Sequence, residues 1–199
     1  MSQPIDIAVL ASGSGTNLQA LLDNQGSYRV SIVVSDNPDA LALDRARAGG
    51  TETMVVPWHG DRDDFTRRIC DVLEKAGVAW VVLAGFMRIL GPEAIQRFPN
   101  RIVNIHPSLL PAFPGANAVA QALAYGVKQT GVTVHFVDEQ VDHGPIIAQV
   151  PVEVLPDDDE ETLHARIRQQ EHVIYPAVVE ALVEGEIEVD GRRVEWRRQ

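Results

Sequence analysis

Short apolar runs alternate along the chain with longer stretches whose apolar residues recur every three or four positions, the pattern of buried strands alternating with amphipathic helices. Ile5–Leu10 reads as a strand that runs into Ala11-Ser12-Gly13-Ser14-Gly15-Thr16-Asn17, with a helix starting at Leu18. Arg29–Ser35 predicts a second strand, Ala40–Ala48 a helix stopped by Gly49-Gly50, and Thr53–Val56 a third strand. A helix from Arg62 to Ala76 follows the loop Pro57–Asp61. Val78–Ala84 lacks polar alternation and predicts a central strand buried on both faces. It empties into Gly85-Phe86-Met87-Arg88-Ile89-Leu90-Gly91-Pro92, a loop rich in apolar side chains.

The second half continues the alternation. Arg101–His106 is a β-branched run ending in polar side chains, followed by the proline-stiffened loop Ser108–Gly115 and a helix over Ala116–Tyr125, stopped by Gly126. Thr130–Val137 alternates, with Val132, Val134 and Phe136 on one face and Thr133, His135 and Val137 on the other. A loop over Asp138–Pro145 leads to a strand over Ile146–Val154. The acidic run Asp157–Glu161 caps a helix whose internal Pro176 predicts a kink near His172. Asp190-Gly191, between Ile187–Val189 and Arg193–Glu195, predicts a hairpin. The whole reads as one domain with a doubly wound α/β fold, a mostly parallel sheet and a Rossmann-like first half. Its expected parts are a phosphate-binding half over residues 1–100, a catalytic half over 101–185 and a terminal hairpin over 186–199.

Two stretches carry candidate chemistry. In a strand, residues two apart share a face, so Asn104 and His106 project together. A carboxamide and a protonated imidazole can hold a developing oxyanion, and a carboxylate such as Asp142 can orient the ring and keep its proton on. A single histidine at a strand end is more often a structural residue, and on chemistry alone the catalytic and structural readings stand level. The second stretch, Gly13–Asn17, has the strand, glycine turn and helix of a phosphate cradle, or of a plain tight turn. Leu18 replaces the third glycine of a dinucleotide fingerprint, and a Gly-Lys-Ser/Thr run is missing, so a nucleotide monophosphate or sugar phosphate suits it better than NAD. Asp36 is placed either as a ribose-binding acid or as part of a turn. Met87, Ile89 and Leu90 either clasp a flat aromatic ring or pack under a following helix. Arg62 sits against the dipole preference of its helix start. His135 points either at the site or into structure. A metal reading of Asp138, Asp142, His106, His135 and His143 has no supporting ligand spacing, and no metal is expected.

Composition narrows the function classes. The 199 residues are 45% hydrophobic and 23% charged, ordinary for a globular protein, and no apolar run approaches the ~20 residues of a membrane span. Met1-Ser2-Gln3-Pro4 has no basic region, so no secretion signal is expected. The single cysteine, Cys70, lies in a helical apolar pattern, reads as a packed thiol and fits a reducing cytoplasm. The net charge of −11 argues against nucleic acid as a partner. Arg192, Arg193, Arg197 and Arg198 are interleaved with Glu188, Asp190 and Glu195 and read as a solvated hairpin face.

Asn104-Ile105-His106-Pro107-Ser108-Leu109-Leu110-Pro111, with Asp142-x-Gly144-Pro145 downstream, resembles the signature of the folate-dependent formyltransferases. The likeness runs from Ile5 to about Gly185 and is strongest to members acting on glycinamide ribonucleotide. It implies transfer of a formyl group from 10-formyltetrahydrofolate to that amine, in purine biosynthesis. By the same resemblance Gly15, Thr16 and Asn17 hold the substrate phosphate and Glu171 its ribose. Asn104, His106 and Asp142 become the catalytic set. Arg62, Met87, Arg88, Ile89, Leu90, Asn104, Asp138, Glu139, Gln140, Val141 and Asp142 become the folate contacts. Ala112 and Ala120 depart from the pattern where basic residues occur, and Asn117 replaces a frequent histidine. The rival readings are a formyltetrahydrofolate deformylase, a sugar-nucleotide formyltransferase and a non-catalytic phosphate-binding module. The transformylase of methionyl-tRNA needs an extra domain and a basic surface, which this acidic chain does not offer. Oligomeric state is left open, a homodimer being one option.

Overall fold

Strand β1 (Ile5–Leu10) shows why the chain opens with an unbroken apolar run. Its alternate residues enter two different cores: Ile7 and Val9 pack with one cluster, Ala8 and Leu10 with another across the sheet. The computed structural model describes residues 3–197, so Met1 and Ser2 of the N-terminal reading and Arg198 of the arginine cluster lie outside the described residues. Around β1 a seven-stranded sheet is ordered β3-β2-β1-β4-β5-β6-β7. Its first five strands in chain order, with β2 (Tyr28–Ser35), β3 (Glu52–Val55), β4 (Trp80–Leu83) and β5 (Ile102–His106), are parallel. β6 (Gln129–Phe136) and β7 (Ile146–Glu153) complete the sheet antiparallel.

The helices are α1 (Thr16–Asp23), α2 (Leu41–Ala48), α3 (Arg62–Lys75), α4 (Pro92–Arg97), α5 (Ala118–Tyr125) and α6 (Glu160–Glu184). α1 begins two residues before the expected Leu18, because Gly15 takes a left-handed cap conformation at φ 70° and lets the helix start at Thr16. α4 was not expected as an element. Its six residues, opened by Pro92, are too short to show a helical period. α6 runs without a break through Pro176 and starts in a reciprocal cap between Asp159 and Thr162. Cys70 is buried in α3, and burial pushes its thiol up to about 11. Among the described residues no helix is long and apolar enough to cross a membrane.

Two contacts dock the C-terminal elements onto the rest of the molecule. Tyr175 of α6 reaches through the core, its hydroxyl 2.8 Å from the Leu83 carbonyl and 3.2 Å from that of Val103. It therefore fixes α6 against β4 and β5. The hairpin of β8 (Ile187–Asp190) and β9 (Arg193–Trp196) lays Ile187, Val189 and Val194 against the first core cluster.

Candidate active site

Sheet register brings the two candidate stretches close. Leu10 pairs with Leu83, Leu83 with Asn104, and Asn104 with His135, so the end of β1 and the polar end of β5 share one cross-strand row. Two strand spacings separate Leu10 from Asn104, about 10 Å.

At the β1 end the glycine-rich turn is held by its backbone. Ser12 N–H donates to Gly85 O, Ala42 N–H to Gly13 O and Gln19 N–H to Gly15 O. A Cβ on Gly15 would lie 2.7 Å from Ala42 Cα, so only glycine lets α2 approach this closely. The first-turn N–H groups of α1 have no carbonyl partner inside the helix and carry its positive end. Asn17 and Glu171, 154 residues apart, meet there: the Asn17 amide donates to Glu171 Oε2 at 2.9 Å. Glu171 lies one turn before Tyr175, whose anchoring sets the position of that carboxyl. Burial raises the Glu171 pKa above the ordinary range, against the lowering effects of Asn17 and Arg168.

At the β5 end Asn104, His106, His135 and Asp142 form one cluster. β6 runs antiparallel to β5, so the loop after Phe136 leaves from the far end of the sheet and folds back to present Asp142. That loop needs Gly144, where a Cβ would sit 1.9 Å from Phe136 O, and it holds Asp142 at φ 50°. One Asp142 oxygen, Oδ2, accepts from Gly115 N–H at 2.7 Å and lies 3.3 Å from His106 Nδ1. The other, Oδ1, lies 3.3 Å from the Asn104 amide nitrogen, which donates to it. His135 Nδ1 donates to Phe136 O at 2.8 Å, and its Nε2 faces the Asn104 amide nitrogen at 3.3 Å and Asp142 Oδ1 at 3.6 Å. His106 Nε2 donates to Phe113 O at 2.9 Å.

Burial, the largest influence, lowers the His106 pKa below the ordinary histidine value. The Phe113 carbonyl and the Asp142 carboxylate raise it and His135 lowers it, without reversing the direction. The ring has an acceptor at each nitrogen, which favours the doubly protonated form, and desolvation acts against it. For Asp142 burial acts upward, but the facing His135, the Gly115 N–H and His106 together hold it below the usual carboxylate range. The site thus pairs an ionised carboxylate with a ring that holds its proton weakly.

The expected folate contacts divide. Met87 and Ile89 project into solvent, 72% and 55% exposed, whereas Leu90 packs into the second core cluster, as the competing reading had it. Arg88 lies along the surface, its Nε donating to Asp36 at 2.6 Å and its guanidinium over the Trp58 ring. Asp36 also accepts from the Ser12 hydroxyl at 2.6 Å, and that hydroxyl accepts from Met87 N–H. Asp36 is therefore the tie between the glycine turn and the 85–91 loop. Arg62 is exposed, its Nε 3.7 Å from where a Gly91 Cβ would stand, at the end of the same loop. Glu139, Gln140 and Val141 are exposed, while both oxygens of Asp138 accept within their own loop, from Gln140 N–H and His143 Nδ1. Among the described residues no group of three His, Cys, Asp or Glu side chains is placed to hold a metal ion.

Sequence reasoning missed the Phe113 carbonyl, the Gly115 N–H and Tyr175. The first two act through backbone atoms, which leave no residue-type signal. The third was visible only as an apolar position on a helix.

Residues 5–179 match the profile of a family described as formyl transferase. A phosphoribosylglycinamide formyltransferase of Mycobacterium tuberculosis is 45% identical over 202 residues, covering 100% of this chain and 94% of that protein. The trifunctional purine biosynthetic protein adenosine-3 of Drosophila melanogaster is 45% identical over 188 residues, 90% of this chain, which spans 14% of that protein's length. The solved structure of glycinamide ribonucleotide transformylase 1 from Symbiobacterium toebii superposes with a TM-score of 0.95 at 46% identity, covering 98% of this chain and 95% of that one.

Proposed function

The chain belongs to the formyl transferase family, and we propose that it is the enzyme that moves a formyl group from 10-formyltetrahydrofolate to the amine of glycinamide ribonucleotide, in purine biosynthesis. The observation that carries this reading is the shared row of Leu10, Leu83 and Asn104. It sets a phosphate-sized backbone cradle about 10 Å from the reactive cluster. Glycinamide ribonucleotide, with a phosphate at one end, a ribose between and an amine at the other, has the matching order of groups. Asn17 and Glu171 stand between the ends, where the ribose hydroxyls need partners.

In this proposal the amine attacks the formyl carbon and the carbonyl oxygen takes up negative charge. The Asn104 amide turns a hydrogen toward that oxygen, and His106, entering the step already protonated, donates the second hydrogen bond and keeps its proton throughout. The carbon–nitrogen bond to folate then breaks. The proton lost by the attacking amine reaches the departing nitrogen through Asp142 and an intervening water. Much of the remaining rate comes from holding two substrates face to face. The folate lies between the loop of Met87, Arg88 and Ile89, the loop of residues 138–142 and Arg62. The setting is cytoplasmic, in keeping with a single buried thiol, and the partners are small molecules.

Incubation with 10-formyltetrahydrofolate, with and without glycinamide ribonucleotide, tests the reading. Formylated ribonucleotide as the dominant product supports it. Formate release that ignores the ribonucleotide makes the protein a hydrolase, and binding without turnover makes it a carrier.

A further inference from the structure

The loop that presents Asp142 is held from outside as well as within. Its ends are closed by His143 Nδ1 donating to Asp138 Oδ2 at 2.7 Å. The hairpin then reaches it from the C-terminus: Arg192 Nη2 donates to the His143 carbonyl at 2.8 Å, and Trp196 Nε1 donates to the Ile147 carbonyl at 3.1 Å. The hairpin is itself seated, because Ile187, Val189 and Val194 alternate inward onto the core while Glu188, Asp190 and Arg193 face out. Asp142, the neighbour of His143, sits in a left-handed backbone conformation that non-glycine residues adopt only when their surroundings impose it. Asn104 and Gly115 hold the Asp142 carboxylate from the sheet side, and Phe136 N–H and Val137 N–H tie the two ends of the loop to Pro145 O and Ile102 O. Arg192 adds a tie from the hairpin on the other side.

We propose that the C-terminal hairpin is a clamp on the catalytic carboxylate, with Arg192 and His143 as positioning residues for the transfer reaction. Arg192 fixes the carbonyl of His143 and so restricts the His143–Gly144 peptide, one residue beyond Asp142. His143 closes the loop onto Asp138 and keeps that carbonyl turned to the hairpin. Neither side chain touches the reacting atoms; both act through where Asp142 stands relative to His106 and Asn104. The clamp rests on the proposed formyl transfer for its catalytic consequence, but its mechanical part is independent of it.

The test compares Arg192→Ala with Arg193→Ala, a neighbouring arginine that faces out of the same hairpin. Arg192→Ala is expected to lower kcat about five- to tenfold, the weight of one hydrogen bond to a carbonyl, with KM for glycinamide ribonucleotide unchanged. Arg192→Lys keeps a donor and recovers part of the rate, and Arg193→Ala matches the parent. Amide hydrogen exchange over residues 138–144 quickens in Arg192→Ala alone. The His106 ring, followed by NMR, titrates lower in that variant because Asp142 has moved away from it, a change that a loss of bulk stability does not produce. His143→Gly cuts the link to Asp138 from the other side and is expected to repeat the same changes if Arg192→Ala does not fold. Parent-like exchange and His106 titration in both variants overturn the clamp. A parent enzyme that makes no formylated ribonucleotide overturns the functional reading instead, and the exchange experiment still decides the clamp.

Discussion

The two ends of the site are built on opposite plans. At the end of β1 the groups on offer are backbone N–H donors at a helix start, shaped by a local run of five residues, Gly13–Asn17. At the end of β5 they are four side chains from three separate segments, with His106 5% and His135 2% exposed. A cradle made of backbone tolerates side-chain change as long as its path is kept. A buried cluster of ionisable side chains does not, because each member sets the charge state and direction of the others. Holding a phosphate requires standing positive potential; passing a proton requires groups near their balance point. The plans differ because the tasks differ.

That contrast breaks first, if it breaks, at Asp142. Asp142→Asn keeps the volume and an oxygen for the Gly115 N–H, yet removes the charge facing His106. Turnover is expected to fall by about 10²- to 10⁴-fold with both substrates still bound. Asn104→Ala removes one donor to the oxyanion and is expected to cost about 10²- to 10³-fold in kcat. The same Asp142→Asn protein carries a charge test. The carboxylate raises the His106 pKa, so without it the already lowered value drops further. NMR titration of the ring reads this directly, and a His106 that titrates higher in Asp142→Asn reverses the electrostatic account. Full turnover in either variant would reduce the cluster to a structural network.

The backbone end is probed by a pair of glycines. Gly13 has open space where a Cβ would go, whereas Gly15 combines φ 70° with a Cβ position 2.7 Å from Ala42 Cα. Gly15→Ala is expected to lose about 1–3 kcal/mol of stability and to raise KM for the ribonucleotide, with kcat at saturation close to the parent. Gly13→Ala is expected to leave the melting temperature within a degree or so of the parent, an exposed substitution of about half a kcal/mol or less. Equal behaviour of the two variants, in melting and in KM, means that the close approach of α2 does not shape the cradle.

The same division decided what could be read before any coordinates. Strand β1, the turn and, apart from α4, the order of strands and helices follow from local patterns, whereas the meeting of Asn17 with Glu171 across 154 residues does not. The second end was readable only as a motif: Asn104 and His106 by their spacing in a strand, Asp142 by its Asp-x-Gly-Pro setting. Nothing local says that β6 turns antiparallel, that the next loop folds back across the sheet, or that Phe113 and Gly115 supply a carbonyl and an N–H. Those are matters of tertiary path. The balance at His106 is of the same kind, since sequence shows a carboxylate near an imidazole but not the burial that acts against its charged form. The bond of Arg88 to Asp36 was not legible either, because a motif places residues on a loop without saying which way they turn.

Arg88 also carries the smallest and most discriminating prediction. Its side chain is 40% exposed while that of Asp36 is 4% exposed, so the pair is half-screened and its loss is expected to cost about 1 kcal/mol. Asp36 holds the Ser12 hydroxyl, and that hydroxyl holds Met87 N–H, so the pair braces the phosphate turn and the apolar loop together. Arg88→Met keeps the packing over Trp58 and removes the charge. If Arg88 acts as this brace, KM rises for both substrates, by about fivefold each at most for a change of that size. If instead the arginine leaves Asp36 to meet the folate directly, KM rises for 10-formyltetrahydrofolate alone. Asp36→Asn separates the two further: it loosens the brace while leaving the arginine free, so it weakens both substrates in the first case and spares the folate in the second. The outcome says whether the backbone end of the site is independent of the folate loop or is stiffened through it, and hence how separate the two plans are.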